Sequence, residues 1–130
     1  MKEIAYVPPE GSFVQFPIKW VFDLSGDDLK RLMLVWWRFK YFADMAFAEG
    51  RPINRCYFES QEKMCLLFGM STNSRTKVGA FLKRMEKGEY ISIHKEKIII
   101  DGKPKPRHYL VVKDESLLRK YNIETKRRES

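Results

Sequence analysis

A chain of 130 residues is long enough to bury most of one compact core and too short for a multidomain machine. Its 44% hydrophobic and 14% aromatic content exclude a chain that is disordered throughout. The formal charge of +8 is unevenly placed, with six Lys/Arg against seven Asp/Glu in residues 1–50 and nineteen against ten in residues 51–130; such asymmetry points to a polyanionic partner, either nucleic acid or an anionic membrane surface.

Residues 1–12 read as an arm, because Pro8 and Pro9 remove two amide donors and hold the backbone extended. The run F-V-Q-F-P-I-K-W-V-F at 13–22 is too apolar to lie in water. Pro17 argues against a central strand, so the run is expected to be an extended segment packed along the first long helix. That helix is predicted from about Asp27 to about Ala48. Ser25 can cap it with Asp28 at the third helical position, both aspartates favour its positive end, and Gly50 and Pro52 stop it.

Leu29, Leu32, Met33, Trp36, Phe39, Ala43 and Phe47 follow the helical period and are expected to face the core. Leu34, Trp37, Tyr41 and Met45 form a second apolar stripe, roughly opposed to parts of the first. Either the arm covers this stripe or another subunit does, since an open patch holding a Trp and a Tyr is unusual for a monomer.

Arg51 to Asn54 read as a loop and R-C-Y-F at 55–58 as a brief strand. Ser60 caps a helix over Gln61–Phe68 with Met64, Leu67 and Phe68 inward; Gly69 closes it, and Ser71 or Asn73 caps the next one. From Asn73 to Lys87, steps of about 100° per residue put Val78, Phe81, Leu82 and Met85 on a buried arc. The opposite arc is Asn73, Thr76, Ala80, Lys83 and Lys87, with Lys77 and Arg84 on one flank and Gly79 on the other. Short polar side chains come first and cations last, the grading that suits a helix whose N-terminal end enters the major groove of DNA. Asn73 is suited to adenine, the Thr76 methyl or Ala80 to a thymine methyl, and the later lysines to phosphates. Ser74 belongs to the same helix start. Arg75, nearer the buried edge, is placed to reach a phosphate or a guanine.

Gly88 ends this helix, and Tyr90 to Ile93 begins a β region that H-K-E-K either continues or bulges before Ile98, Ile99 and Ile100. D-G-K-P-K-P-R at 101–107 reads as the turn and His108 to Val112 as the returning strand. Lys103, Lys105 and Arg107 against Asp101, stiffened by two prolines, describe a projecting basic loop that suits a DNA backbone or a minor groove. Asp114 can cap a short helix, and the T-K-R-R-E-S end is expected to be a basic tail. The expected fold is α+β and mostly helical. It is a winged helix-turn-helix over residues 13–113, with a long first helix and a C-terminal β-hairpin wing, followed by the short helix and tail at 114–130. A polar outer face alone is what any surface helix shows; the order of capped helix, glycine turn, capped helix and hairpin is what makes the reading specific.

Cys56, Cys65, His94 and His108 lack the spacing of a structural zinc site, so no metal is expected, and the two thiols suit a reducing compartment. With no apolar signal core at the N-terminus and no apolar run of about 18 residues, a cytoplasmic protein without a membrane partner is expected. No G-x-x-x-x-G-K, H-E-x-x-H or paired-histidine nuclease motif occurs, so neither an enzyme nor a cofactor is expected. The rival to DNA binding is a protein-interaction module that docks a partner through Leu34, Trp37, Tyr41 and Met45.

The segments F-V-Q-F-P, L-S-G-D-D-L-K-R-L, F-E-S-Q-E-K-M, G-M-S-T-N-S-R-T-K-V and F-L-K-R-M-E-K-G-E-Y-I, with the Gly/Lys/Pro hairpin, resemble the N-terminal winged-helix domain of plasmid replication initiators, closest to the RepA N-terminal family, over about residues 12–113. The resemblance implies binding to double-stranded repeats at an origin or operator of a plasmid, phage or mobile element, often as a dimer. It implies that Asn73, Arg75, Thr76, Lys77 and the wing cations contact DNA. The helix start T-N-S-R-T-K is longer than in many winged helices. Initiators of the family usually also carry a C-terminal partner-binding domain, so either a cut-down domain or a self-standing DNA-binding protein is implied, with replication or regulatory proteins as possible partners.

Overall fold

The structure is a computed structural model that describes residues 10–123. The first nine residues of the expected arm and the T-K-R-R-E-S tail lie outside the described residues. Among those described, the fold is α+β, with a two-stranded antiparallel hairpin following four of five α-helices.

Residues 13–22 are not extended throughout. After Pro17, Ile18–Asp23 form a short helix, α1. Proline's fixed φ and missing N–H fit it to a helix start, and Lys19 pairs with Asp23 at 2.7 Å one turn on. Trp20 docks α1 by meeting Phe16 and Tyr90 edge-on, at 5.2 Å between ring centroids in each case.

The long helix α2, Gly26–Ala48, begins as its sequence dictates, with Ser25 Oγ accepting the Asp28 N–H at 3.3 Å. Its buried arc is Leu32, Val35, Trp36, Phe39, Ala43 and Ala46. Phe47, expected in the core, is 51% exposed because it lies past the edge of this arc, although its ring meets Tyr121 at 5.7 Å.

Ile53–Arg55 close into a 3₁₀ turn and Cys56 stays helical, so R-C-Y-F does not form a strand. One backbone bond, from the Leu110 N–H to the Tyr57 carbonyl at 3.0 Å, ties this stretch to the hairpin backbone. Helix α3, Gln61–Leu67, is capped by Ser60 and buries Met64, Cys65 and Leu67. Helix α4 runs Arg75–Lys87 and buries Val78, Phe81 and Met85. The two helices approach closely at Gly79, where a Cβ would come within 3.3 Å of Gln61 Nε2. The space beside Gly79 is therefore used within the molecule and is not left for an outside surface.

Strands β1, Ile91–Ile100, and β2, Lys103–Val112, pair in register from Ile91↔Val112 to Ile100↔Lys103. The turn is only Asp101–Gly102, at φ +53° and +76°. Asp-Gly is suited to a two-residue turn with both residues left-handed, whose twist matches that of the strands. Lys103 to Arg107, expected as loop, are therefore strand. The prolines permit this because of where they fall. Leu110 gives its N–H to Tyr57 rather than to β1, which makes Ile93↔Leu110 a pair without ladder bonds. Since the two kinds of pair alternate, Lys97↔Pro106 and Ile99↔Pro104 are of the same kind. Neither proline removes a ladder bond, and both blunt the outer edge of β2 against a further strand.

Helix α5, Glu115–Lys120, is capped by Asp114, which accepts the Ser116 N–H at 3.0 Å. The same buried carboxylate accepts the Trp36 indole N–H at 2.7 Å. Leu117, Leu118 and Tyr121 join the core, and the Tyr121 hydroxyl donates to Asp44. Residues 114–123 thus belong to the same packed body as α2. No helix among the described residues is long and apolar enough to cross a membrane.

Candidate nucleic-acid interface

Burying Val78, Phe81 and Met85 fixes what α4 shows to solvent. Arg75, Thr76, Lys77, Ala80, Lys83 and Lys87 are all exposed, as is Asn73 in the turn before the helix. None of Arg75, Lys77, Lys83 and Lys87 makes an ion pair with another described residue. The helix starts later than its sequence suggests. Ser71 Oγ accepts the Asn73 N–H at 3.1 Å and sets a 3₁₀ turn over Thr72–Ser74, so Asn73 and Ser74 precede α4, and Ser74 is half-buried. Asn73 therefore projects from a tight turn rather than from the first helical turn.

Arg84 is committed elsewhere. Its guanidinium grips the Asp28 carboxylate with two bonds of 3.0 and 2.8 Å, clasping α4 to the first turn of α2. The hydrogen bonds from Arg84 hold the Asp28 carboxyl below its ordinary range, and the same pair raises the guanidinium. A fork-to-fork pair of this kind fixes orientation. With the Arg84 side chain half exposed, it adds at most about 1 kcal/mol of stability. Its effect is to set the angle at which the exposed ridge of α4 stands.

Opposed residues in the hairpin share a face. One face carries Ser92, His94, Glu96, Ile98, Ile100, Lys103, Lys105, Arg107, Tyr109 and Val111, and the other carries the remaining strand residues, with Lys95, Lys97, Ile99, Pro104 and Pro106 beyond the core. Arg107 is not a free tip cation, because its guanidinium lies 4.0 Å over the Phe58 ring, and Arg55 pairs with Glu96 at 2.6 Å on the same face. Arg55 keeps the Glu96 carboxyl below the ordinary range. These two contacts brace the middle of the hairpin against residues 55–58. Lys97, Lys103 and Lys105 lie exposed beyond the brace, and Lys95 is exposed one pair before it. Lys95 and Lys97 were not singled out in sequence, although the alternation Ile91, Ile93, Lys95, Lys97, Ile99 carried the signal once the strand was known to be unbroken.

The second stripe of α2 is divided. Leu34 and Trp37 are half-buried and line an apolar groove of about 450 Å³ with Ser12, Phe13, Val14, Leu29, Met33 and Leu67, so residues 12–14 border that end. Tyr41 and Met45 remain 52% and 38% exposed. The Arg38 guanidinium, 2.9 Å from Glu59, lies 4.8 Å over Phe42 and 5.7 Å from the Tyr41 ring centroid.

Among the described residues, no group of three or more His, Cys, Asp and Glu gathers as metal ligands. Burial pushes the Cys56 thiol up to about 11, away from thiolate chemistry. Compared with family models, curated proteins and solved structures, the chain finds no match.

Proposed function

We propose that this protein is a winged helix-turn-helix that binds double-stranded DNA, with sequence preference, and acts in replication initiation or transcriptional control of a plasmid, phage or mobile element, the setting implied by the resemblance of its sequence. The observation that carries this reading is the outward face of α4, where Arg75, Thr76, Lys77, Ala80, Lys83 and Lys87 stand exposed and its lysines lack carboxylate partners among the described residues. Unpaired cations on one ridge neutralise phosphates and release counterions, while Thr76 and Ala80 between them are short enough to let base edges approach. The hairpin serves as the wing, with Lys103 and Lys105 added to the same electrostatic footprint.

A fluorescence-anisotropy titration of duplex DNA at rising salt tests this. Affinity is expected to fall with about 0.9 unit of log slope per phosphate contact. Lys83→Ala should weaken all sequences alike, and Asn73→Ala or Thr76→Ala should erode preference at particular base pairs in a binding-site selection. Absence of salt-sensitive binding would reject the reading.

One observation favours a second reading, a module that docks a partner or a second copy. Tyr41 and Met45 lie open on α2, and on α1 Ile18 and Phe22 are 68% and 82% exposed. Light scattering of the parent and of Tyr41→Glu separates a homodimer through the α2 stripe from a monomer.

A further inference from the structure

Past the brace at Glu96 and Arg107, the hairpin continues to its turn with no partner element beside it among the described residues. From Glu96↔Arg107 to Ile100↔Lys103 is four pairs on, roughly 14 Å of ribbon at about 3.4 Å per residue. An arm of that length reaches the floor of a minor groove about 7.5 Å deep. Near its end stands an apolar pair that the fold does not use. Ile99 is 68% exposed, and its cross-strand partner Pro104 is also exposed. The pair lies at a position without ladder bonds, where opposed Cα atoms approach to about 4.5 Å, so the branched side chain and the rigid ring form one blunt apolar unit. Lys97 stands behind it on the same face, and Lys103 and Lys105 on the opposite face. Of the nearby carboxylates, Glu96 is held by Arg55, and Asp101 occupies a left-handed turn position that aspartate tolerates.

Resting on the proposed DNA-binding reading, we infer that the tip of the hairpin enters the minor groove and that Ile99 and Pro104 wedge a base step apart, bending the duplex. Isoleucine and proline are among the side chains that unstack base steps in this way, with kinks of about 20–90°. The flanking lysines meet phosphates on both sides of the groove. The charge pattern favours DNA over a protein as the occupant, because an apolar protein surface would leave these lysines unmatched.

The test is ligase-mediated closure of DNA fragments of about 100 base pairs, shorter than the persistence length of about 150 base pairs and so reluctant to circularise unaided. The full chain is expected to raise circle yield by about tenfold or more. Ile99→Ser should abolish that gain while anisotropy shows salt-sensitive binding within about threefold of the parent. Ile99→Leu should keep it. Lys97→Ala should lower the salt slope by about 1 and keep the bend. Salt-sensitive binding without circles, or circles undiminished by Ile99→Ser, overturns the wedge and leaves DNA binding standing. Loss of all salt-sensitive binding in the parent overturns both. A change in self-association by light scattering, with circle yield unchanged, assigns the tip to protein contact instead.

Discussion

At its near end the hairpin is core: Ile91, Leu110 and Val112 are buried on one face and Tyr109 and Val111 on the other. Beyond Lys95 and His108 the same two strands carry lysines, isoleucines and prolines into solvent. A two-stranded ribbon alone is marginal in water, so the far end holds its shape through a matched turn and an exact register, and through the Arg55 and Arg107 contacts at its middle. The near end stabilises the protein, and the far end is free to be selected for what it touches. Substitutions should therefore separate cleanly, altering stability at one end and binding at the other.

The largest effect should come from the near end. Ile91→Ala leaves a cavity where the side chain was 1% exposed and should cost about 2–5 kcal/mol in urea unfolding, with the whole domain melting together. Next is Trp36→Phe, which removes the donor from the buried Asp114 carboxylate. The cost should be about 1.5–3 kcal/mol, and far less would mean that the indole does not tie α5 to α2. Gly102→Ala places a Cβ at φ +76° and should cost about 1–2 kcal/mol, visible as shifted amide resonances around the turn while near-end resonances keep their positions.

The clasp between α2 and α4 should give a smaller effect that depends on pH. Asp28 has its carboxyl lowered by Arg84, so its contribution is present above the ordinary carboxylate range and is lost as pH falls through the lowered value. Parent and Asp28→Asn should differ by at most about 1 kcal/mol at neutral pH, and the two stability curves should converge in acid. Smallest for stability, within about 0.5 kcal/mol, is Lys83→Ala. A large loss of stability there would mean that the α4 ridge is part of the structural framework.

Much of this architecture was legible because local chemistry and burial agreed. Ser25, Ser60 and Asp114 each cap the helix that their spacing suggests, and the period of Val78, Phe81 and Met85 sets the outward face of α4. Errors arose where a distant residue decided the outcome. Pro104 and Pro106 looked like turn residues, and only the pairing register, with Tyr57 taking the Leu110 amide, reveals that they occupy positions where strand proline costs nothing. Arg84 looked like a flank of the DNA-facing arc because nothing local hints at Asp28, 56 residues earlier. Arg107 was diverted by Phe58 in the same way. In residues 13–22 hydrophobicity was visible but period was not, and Pro17 proved to open a helix rather than only to exclude a strand.

The placement of the prolines has one more consequence. With Pro104 and Pro106 lacking amide protons and the intervening pairs bonded across the ladder, the protons that β2 retains at Lys103, Lys105 and Arg107 all point at β1. Deuterium uptake at those three positions therefore reports separation of the two strands without interference from solvent-facing amides. A ligand that clamps the arm would slow it and one that binds only to α4 would not, which makes these three amides a built-in gauge of where a bound molecule sits.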